Sequence, residues 1–253
     1  MLADLGVEFH FQMQVNAEML AELESRHDAI FLGVGLGGIH QLGIEGEQLE
    51  GVTNALDLIA GYKSGAITSS PPRVAVVGAG NTAIDAAIAS VRLGAAQVHM
   101  IYRRGLENMS AFSFEYEHAK QEGVNFHWHA LPTSIVGARS VESLRITRLS
   151  ATTDGSLIPE QGSEFTLPID LVVLAIGQGS HSAFLVSSNG GAKVQVERGR
   201  IVIDRATGQT SNPKYFAGGD CTNGGREVVD AVADGKRAGI GIATWLEDKH
   251  VQA

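Results

Sequence analysis

A chain of 253 residues with a formal net charge of −9 has no broad basic surface of the kind that binds nucleic acid, so any anion site in it must be local. Its composition, 44% hydrophobic and 19% charged, is that of an ordinary globular protein, and a single cysteine, Cys221, excludes an internal disulfide framework or a cysteine-only metal cluster within this chain. No apolar run approaches the roughly 18 residues of a membrane span and no basic-then-apolar leader opens the chain, so the cytoplasm is the expected compartment.

Met1 to Gly6 read as the last turns of a helix closed by glycine, as in a chain that opens in mid-element. Val7 to Val15 then alternate apolar and polar residues and predict a strand. Asn16 to Ser25 predict a helical connector, Asp28 to Gly35 a buried strand ending in glycines, and Val52 to Ser64 a helix. The clearest unit follows Pro71-Pro72. Arg73 to Val77 is an apolar strand, Gly78 to Ala83 a turn, Ile84 to Leu93 an alanine-rich helix, and Gln97 to Tyr102 a second strand. That is a complete βαβ unit of the expected size. A helix over Ser113 to Glu122 and a strand over Val124 to Ala130 come next. Ile135-Val136, Ser143 to Leu149 and Glu164 to Leu167 read as a β-meander, and Leu171 to Gly177 as a second buried strand closing on glycine. Further strands are expected over Arg200 to Asp204 and from Tyr215 towards Asp220. A final helix from about Arg226 to Glu247 is expected to be interrupted at Gly235, Gly239 and Gly241.

Three motifs carry chemistry. In Gly78-x-Gly80-x-x-Ala83 the first glycine permits a tight strand-to-helix turn, the second lets a pyrophosphate reach the backbone, and the small third residue lets helix and strand pack closely. Phosphate oxygens would there meet free N–H groups at the positive end of the helix dipole. At the end of the second strand, Arg103 and Arg104 stand where an acid would select NAD by accepting the ribose hydroxyls. Two guanidiniums can instead grip a 2′-phosphate, which points to NADP; a solvated basic pair is the alternative. In Phe216-Ala217-Gly218-Gly219-Asp220-Cys221 a strand delivers an aspartate just before a helix opens at Arg226-Glu227. Such an aspartate can hold a ribityl chain, and the helix end can stabilise negative charge on a flavin ring, although Gly-Asp after a strand is also ordinary turn chemistry. His127 and His129 flank Trp128 at period-two spacing, on one face of the expected strand, with no third metal ligand nearby.

Taken together, Val74 to Asp85, Tyr102-Arg103-Arg104 and Phe216 to Cys221 resemble the pyridine-nucleotide-disulfide-reductase-like flavoproteins of the glutamate synthase small-subunit type. Arg104 to Ala111 and Gly224 to Val232 look most like the flavin subunit of bacterial NAD-dependent dihydropyrimidine dehydrogenase. The resemblance implies an α/β architecture in which a Rossmann-like, three-layer ββα NAD(P)-binding domain (37–177) is inserted into an incomplete FAD-binding domain (1–36 and 178–253). It implies that Gly78, Gly80, Asn81 and Thr82 line the pyrophosphate of NADP or NAD, that Arg103 and Arg104 surround the adenosine phosphate, and that Gly177 lies on the nicotinamide side. Gly219 and Asp220 would hold the FAD ribityl chain, with Glu227 and Val228 near the ring. The implied reaction is hydride transfer from NAD(P)H to FAD, with no catalytic acid–base pair because the cofactors carry the chemistry, and with electrons passing to a partner subunit of dihydropyrimidine dehydrogenase or glutamate synthase. Family members begin with an iron–sulfur segment and a first Gly-x-Gly-x-x-Gly fold for the flavin ADP, neither of which stands in this sequence. A dinucleotide-binding module without turnover is therefore the alternative, and oligomerisation is left open.

Overall fold

The computed structural model describes residues 3–180, 185 and 193–251. The chain divides into two compact units: Ile39–Gly177, and Met1–Gly38 together with Gln178–Ala253.

The continuous unit is built on a parallel five-stranded sheet in the order β3-β11-β4-β5-β6, from β3 (Val52–Asn54), β4 (Arg73–Val77), β5 (Gln97–Ile101), β6 (Asn125–His127) and β11 (Leu171–Leu174). Strand β4 is apolar without alternation because both of its faces are covered. Val74 and Val76 pack with Val98, Met100 and Val173 against the helices α2 (Ala55–Ser64), α3 (Asn81–Arg92) and α4 (Ser113–Gln121). Ala75 and Val77 pack with Ile101 and Val172 against an antiparallel layer of β7 (Ala130–Val136), β8 (Ser143–Ala151), β9 (Leu157–Pro159) and β10 (Phe165–Pro168). The unit is thus a three-layer ββα sandwich. Ala83, Ala86 and Ala87 of α3 are fully buried, so small side chains let the helix lie close on the sheet.

Several boundaries differ from expectation for local reasons. Val52–Asn54 pairs with β11 as a strand, and Asn54 ends it by accepting from Asp57 N at 2.9 Å as the N-cap of α2. The strand expected over 124–130 stops at His127, because His129 takes a left-handed conformation (φ 50°) that turns the chain into β7. His127 and His129 therefore do not share a strand face. His127 Nε2 instead lies 3.1 Å from Nδ1 of His99 on the neighbouring strand.

In the other unit, β1 (Ile30–Leu32) pairs in parallel with β15 (Tyr215–Ala217), and α1 (Ala17–Arg26) is capped by Asn16, which accepts from Met19 N. Leu20, Leu32, Ile201, Tyr215, Ala217 and Cys221 form its core. The remaining strands of the described residues are two-residue pieces, β2 (Gly38–Ile39), β12 (Gln178–Gly179), β13 (Val196–Glu197) and β14 (Arg200–Ile201), and short helix α5 (Asp220–Asn223) and long helix α6 (Val228–Val251) follow β15. Helix α6 runs unbroken through all three of its glycines. At Gly241 a Cβ would overlap the Thr207 carbonyl oxygen, so the glycine there serves close packing and does not end the helix. Val7–Val15 forms no strand: its alternating Val7, Phe9, Phe11 and Met13 side chains are exposed, and no described segment pairs with it. Alternation makes a strand only where a neighbouring edge supplies hydrogen bonds.

The His99–His127 pair sets a pH dependence. Burial lowers both imidazoles below their ordinary value, and for His127 the charges of His99 and Arg148 add to the effect. One ring must donate while the other accepts, and adding a proton to each would oppose N–H to N–H. The folded protein therefore binds fewer protons than the unfolded chain as pH falls through 6.5, and stability is lost from there down towards the lower folded values. Melting temperature should drop between about pH 7.5 and about pH 5.5, and a His99→Gln/His127→Gln double variant should show a flatter profile over that range. An identical slope in both proteins would refute the assignment.

Candidate functional site

The carboxyl ends of β4, β5 and β11 bring the glycines and arginines singled out in the sequence to one edge of the parallel sheet, where open α/β sheets bind their ligands. Gly78 leaves β4 at φ 137° while its N–H still donates to Ile101 O at 3.0 Å. A Cβ at Gly78 would overlap the carbonyl oxygen of Ala175, which leaves β11 alongside it. Only glycine meets both conditions.

Gly80 is the N-cap of α3 and has no side chain to cap it, while its carbonyl accepts from Ala83 N and Ile84 N. The amides of Asn81 and Thr82 open the helix and have no intrahelical acceptor, so two donors and the helix dipole face the turn. The chain after β5 folds over this turn. Ala111 N donates to Ala79 O, Phe112 N donates to Asn81 Oδ1 at 3.1 Å, and Ser110 Oγ lies 3.3 Å from the place a Gly80 Cβ would take. The Asn81 side chain, expected to line a phosphate, thus fastens this loop with its oxygen, while its backbone N–H stays at the helix end.

Arg103 and Arg104 are exposed at the end of β5, and neither has an ion-pair partner among the described residues. Backbone bonds hold the segment in place: His127 O accepts from Tyr102 N, and Arg104 O accepts from His129 N. Gly177 follows β11 at φ 100°, and its carbonyl accepts from His40 N.

The discontinuous unit holds a second candidate, an open cleft of about 290 Å³ lined by Gly33, Gly35, Gly219, Asp220, Glu227 and Val228 among others. Gly219 turns the chain at φ 73°, and one oxygen of Asp220 accepts from Arg226 N at 3.1 Å, leaving the other for the cleft. Glu227 and Val228 stand exposed where α6 begins, and Asp230 returns to accept from Glu227 N. Cys221 lies beneath, its thiol donating to Leu32 O and Gly218 O and pushed up in pKa by burial, which makes it an inert core residue.

One residue here escaped sequence reasoning. Asp234, on α6, accepts from Gly219 N at 3.0 Å and from Asn223 Nδ2, and pairs with Arg237 at 2.8 Å. Burial would push its carboxyl up, but the bonds from Gly219 and Arg237 outweigh it and hold the group below the usual carboxylate range. A Cβ on Gly218 would meet the Asp234 Cβ at 2.9 Å, so the double glycine lets the turn sit on the helix. The only signal in the sequence is an isolated acid among small residues in the last helix.

The family described as pyridine nucleotide-disulphide oxidoreductase matches residues 4–235. The chain belongs to it. Among relatives, the family match is joined by 35% identity over 254 residues to the NADP(+)-dependent formate dehydrogenase subunit beta of Moorella thermoacetica, covering 96% of this chain and 35% of that protein. The glutamate synthase [NADPH] small chain of Escherichia coli K12 is 36% identical over 266 residues, covering 96% of this chain and 56% of its own. The chain therefore spans only part of the length of these family relatives. The fold recurs in T. acidophilum thioredoxin reductase (TM-score 0.68, 23% identity, 87% of this chain and 66% of that one). It recurs also in FprA from Mycobacterium tuberculosis (TM-score 0.71, 20% identity, 91% and 66%).

Two substitutions test the geometry. Gly80→Val leaves an allowed backbone but fills the space beside Ser110 above the helix end, so NADPH and NADH binding should both fall by at least about tenfold, the loss of one charge-assisted bond or more, with circular dichroism unchanged. Retained binding would show that the turn holds no phosphate. Asp234→Ala should cost about 1–3 kcal/mol of stability by stranding Gly219 N, while Asp234→Asn, which keeps an acceptor, should cost less. Equal denaturation midpoints for the wild type and both variants would remove Asp234 from this role.

Proposed function

We propose that the chain is the nucleotide-binding part of an NADPH-dependent flavoprotein oxidoreductase that passes electrons to a partner subunit. The observation that carries this reading is the uncapped amino end of α3 at the carboxyl edge of a parallel sheet, with two arginines at the end of the neighbouring strand that have no carboxylate partner among the described residues. That donor set fits a pyrophosphate with a second phosphate at the adenosine end: backbone N–H groups of Asn81 and Thr82 for the first, forked guanidiniums of Arg103 and Arg104 for the second. Gly177 would border the nicotinamide. In this reading residues 37–177 form the NAD(P) domain, and residues 1–36 with 178–253 belong to the FAD domain. Relatives whose names carry NADP or NADPH support the choice of nucleotide.

The Gly218-Gly219-Asp220 cleft fits the ribityl portion of FAD, because backbone approaches closely at the glycines and a carboxylate oxygen stays available for hydroxyl groups. Glu227 and Val228 would lie by the ring, where the amino end of α6 favours negative charge. The two cofactors supply the hydride chemistry, and the side chains of this chain bind and orient them. The partner is proposed to be a pyrimidine-reducing subunit, as in dihydropyrimidine dehydrogenase, on the strength of the Arg104–Ala111 and Gly224–Val232 segments. The likeness to glutamate synthase small chains favours a glutamate synthase large subunit as the second reading.

Replacing Arg103 and Arg104 by alanine should weaken NADPH binding by about 1.5–3 kcal/mol per lost charged bond and leave NADH binding nearly unchanged. Titration calorimetry with both nucleotides decides it; equal losses would sink the 2′-phosphate assignment.

A further inference from the structure

The sequence places no acid at the end of β5, yet the fold returns one to that place. Gly105 opens a single 3-10 turn, Leu106–Asn108, closed by Asn108 N and Met109 N donating to Gly105 O and Leu106 O, and held by Tyr102 Oη donating to Asn108 O at 2.9 Å. In that turn the Glu107 side chain folds back over Gly105. A Cβ on Gly105 would overlap both carboxylate oxygens of Glu107, so the glycine is what lets the carboxylate lie against the backbone one residue past Arg104. Glu107 is exposed and, like Arg103 and Arg104, has no ion-pair partner among the described residues. Three charged groups, two positive and one negative, thus share the end of β5 without neutralising one another in contact geometry.

We propose that Glu107 is a specificity-determining residue that admits NADH at the site where Arg103 and Arg104 admit NADPH. The inference rests on the reading of this edge as the adenosine end of the nucleotide site. A carboxylate at the end of the second strand of a βαβ unit accepts hydrogen bonds from the ribose hydroxyls of NAD and repels a 2′-phosphate. Here that carboxylate arrives from a turn six residues past Ile101, the last residue of β5, and not from the strand itself. With a guanidinium pair on the same edge, the site balances the two nucleotides and does not exclude either. Removing the acid releases the balance towards NADPH; removing the arginines releases it towards NADH.

The test uses the whole chain and nucleotide fluorescence titrations with NADH and NADPH for wild type, Glu107→Gln and Arg103→Ala/Arg104→Ala. Glu107→Gln keeps the shape and removes the charge. It should weaken NADH about tenfold, the loss of a charge-assisted bond, and tighten NADPH roughly threefold, the relief of one exposed like-charge contact. Unchanged NADH affinity in Glu107→Gln, with the arginine variant still losing NADPH, overturns the role of Glu107 and leaves the site standing. Unchanged affinities in both variants overturn the site and this inference with it.

Discussion

Gly78 is where the candidate nucleotide site begins. Strands β4 and β11 run in parallel register up to Leu174 and Val77, and Ala175 N still donates to Val77 O. One residue later the two chains must part within van der Waals distance of each other. A side chain at Gly78 would occupy the Ala175 carbonyl, and its φ of 137° is one that other residues rarely adopt. Because that position is bare, β4 passes into α3 through nothing longer than the turn Gly78-Ala79-Gly80. The helix therefore starts at the edge of the sheet, with its unsatisfied donors beside the ends of β5 and β11.

Everything charged at that edge follows from this start. Fully buried Ala83, Ala86 and Ala87 hold α3 flat on β4 and β5, which fixes the direction of its dipole. The register of β4 with β5, Val77 opposite Ile101, puts Arg103 and Arg104 at the same carboxyl end of the sheet as Gly80. The segment after them is then anchored back onto the turn through Ala79 O and Asn81 Oδ1. In the other unit a related solution appears: β15 ends in two glycines, and the turn they make is held from below by a carboxylate of the long helix. In both places a strand ends on residues without side chains so that backbone is presented, and a nearby polar group holds the presented backbone still.

Much of this was legible in the sequence where local chemistry decides. A five-residue apolar strand, two glycines, an alanine-rich helix and a second strand define the βαβ unit, because period, turn chemistry and packing all agree over about 30 residues. Length-scale marks the limit. Glu107 and Asp234 act through side chains that fold back onto glycines, two and fifteen positions away, and no periodicity announces such a return. The alternation of Val7 to Val15 promised a strand, but a strand exists only with a neighbour, and none of the described segments pairs with it. The glycines of α6 read as breaks, whereas Gly241 is where the helix touches the Thr207 backbone. His129 looked like a strand residue until its left-handed φ took it out of the strand and left His127 to His99.

The central claim is that the amino end of α3 holds the phosphates of a pyridine nucleotide. Backbone amide NMR of the chain titrated with NADPH tests it most directly. The N–H resonances of Asn81 and Thr82 should shift downfield and exchange more slowly with solvent as the nucleotide binds, while the amides in the middle of α3 stay where they were. Binding that moves other regions and leaves Asn81 and Thr82 unperturbed would contradict it.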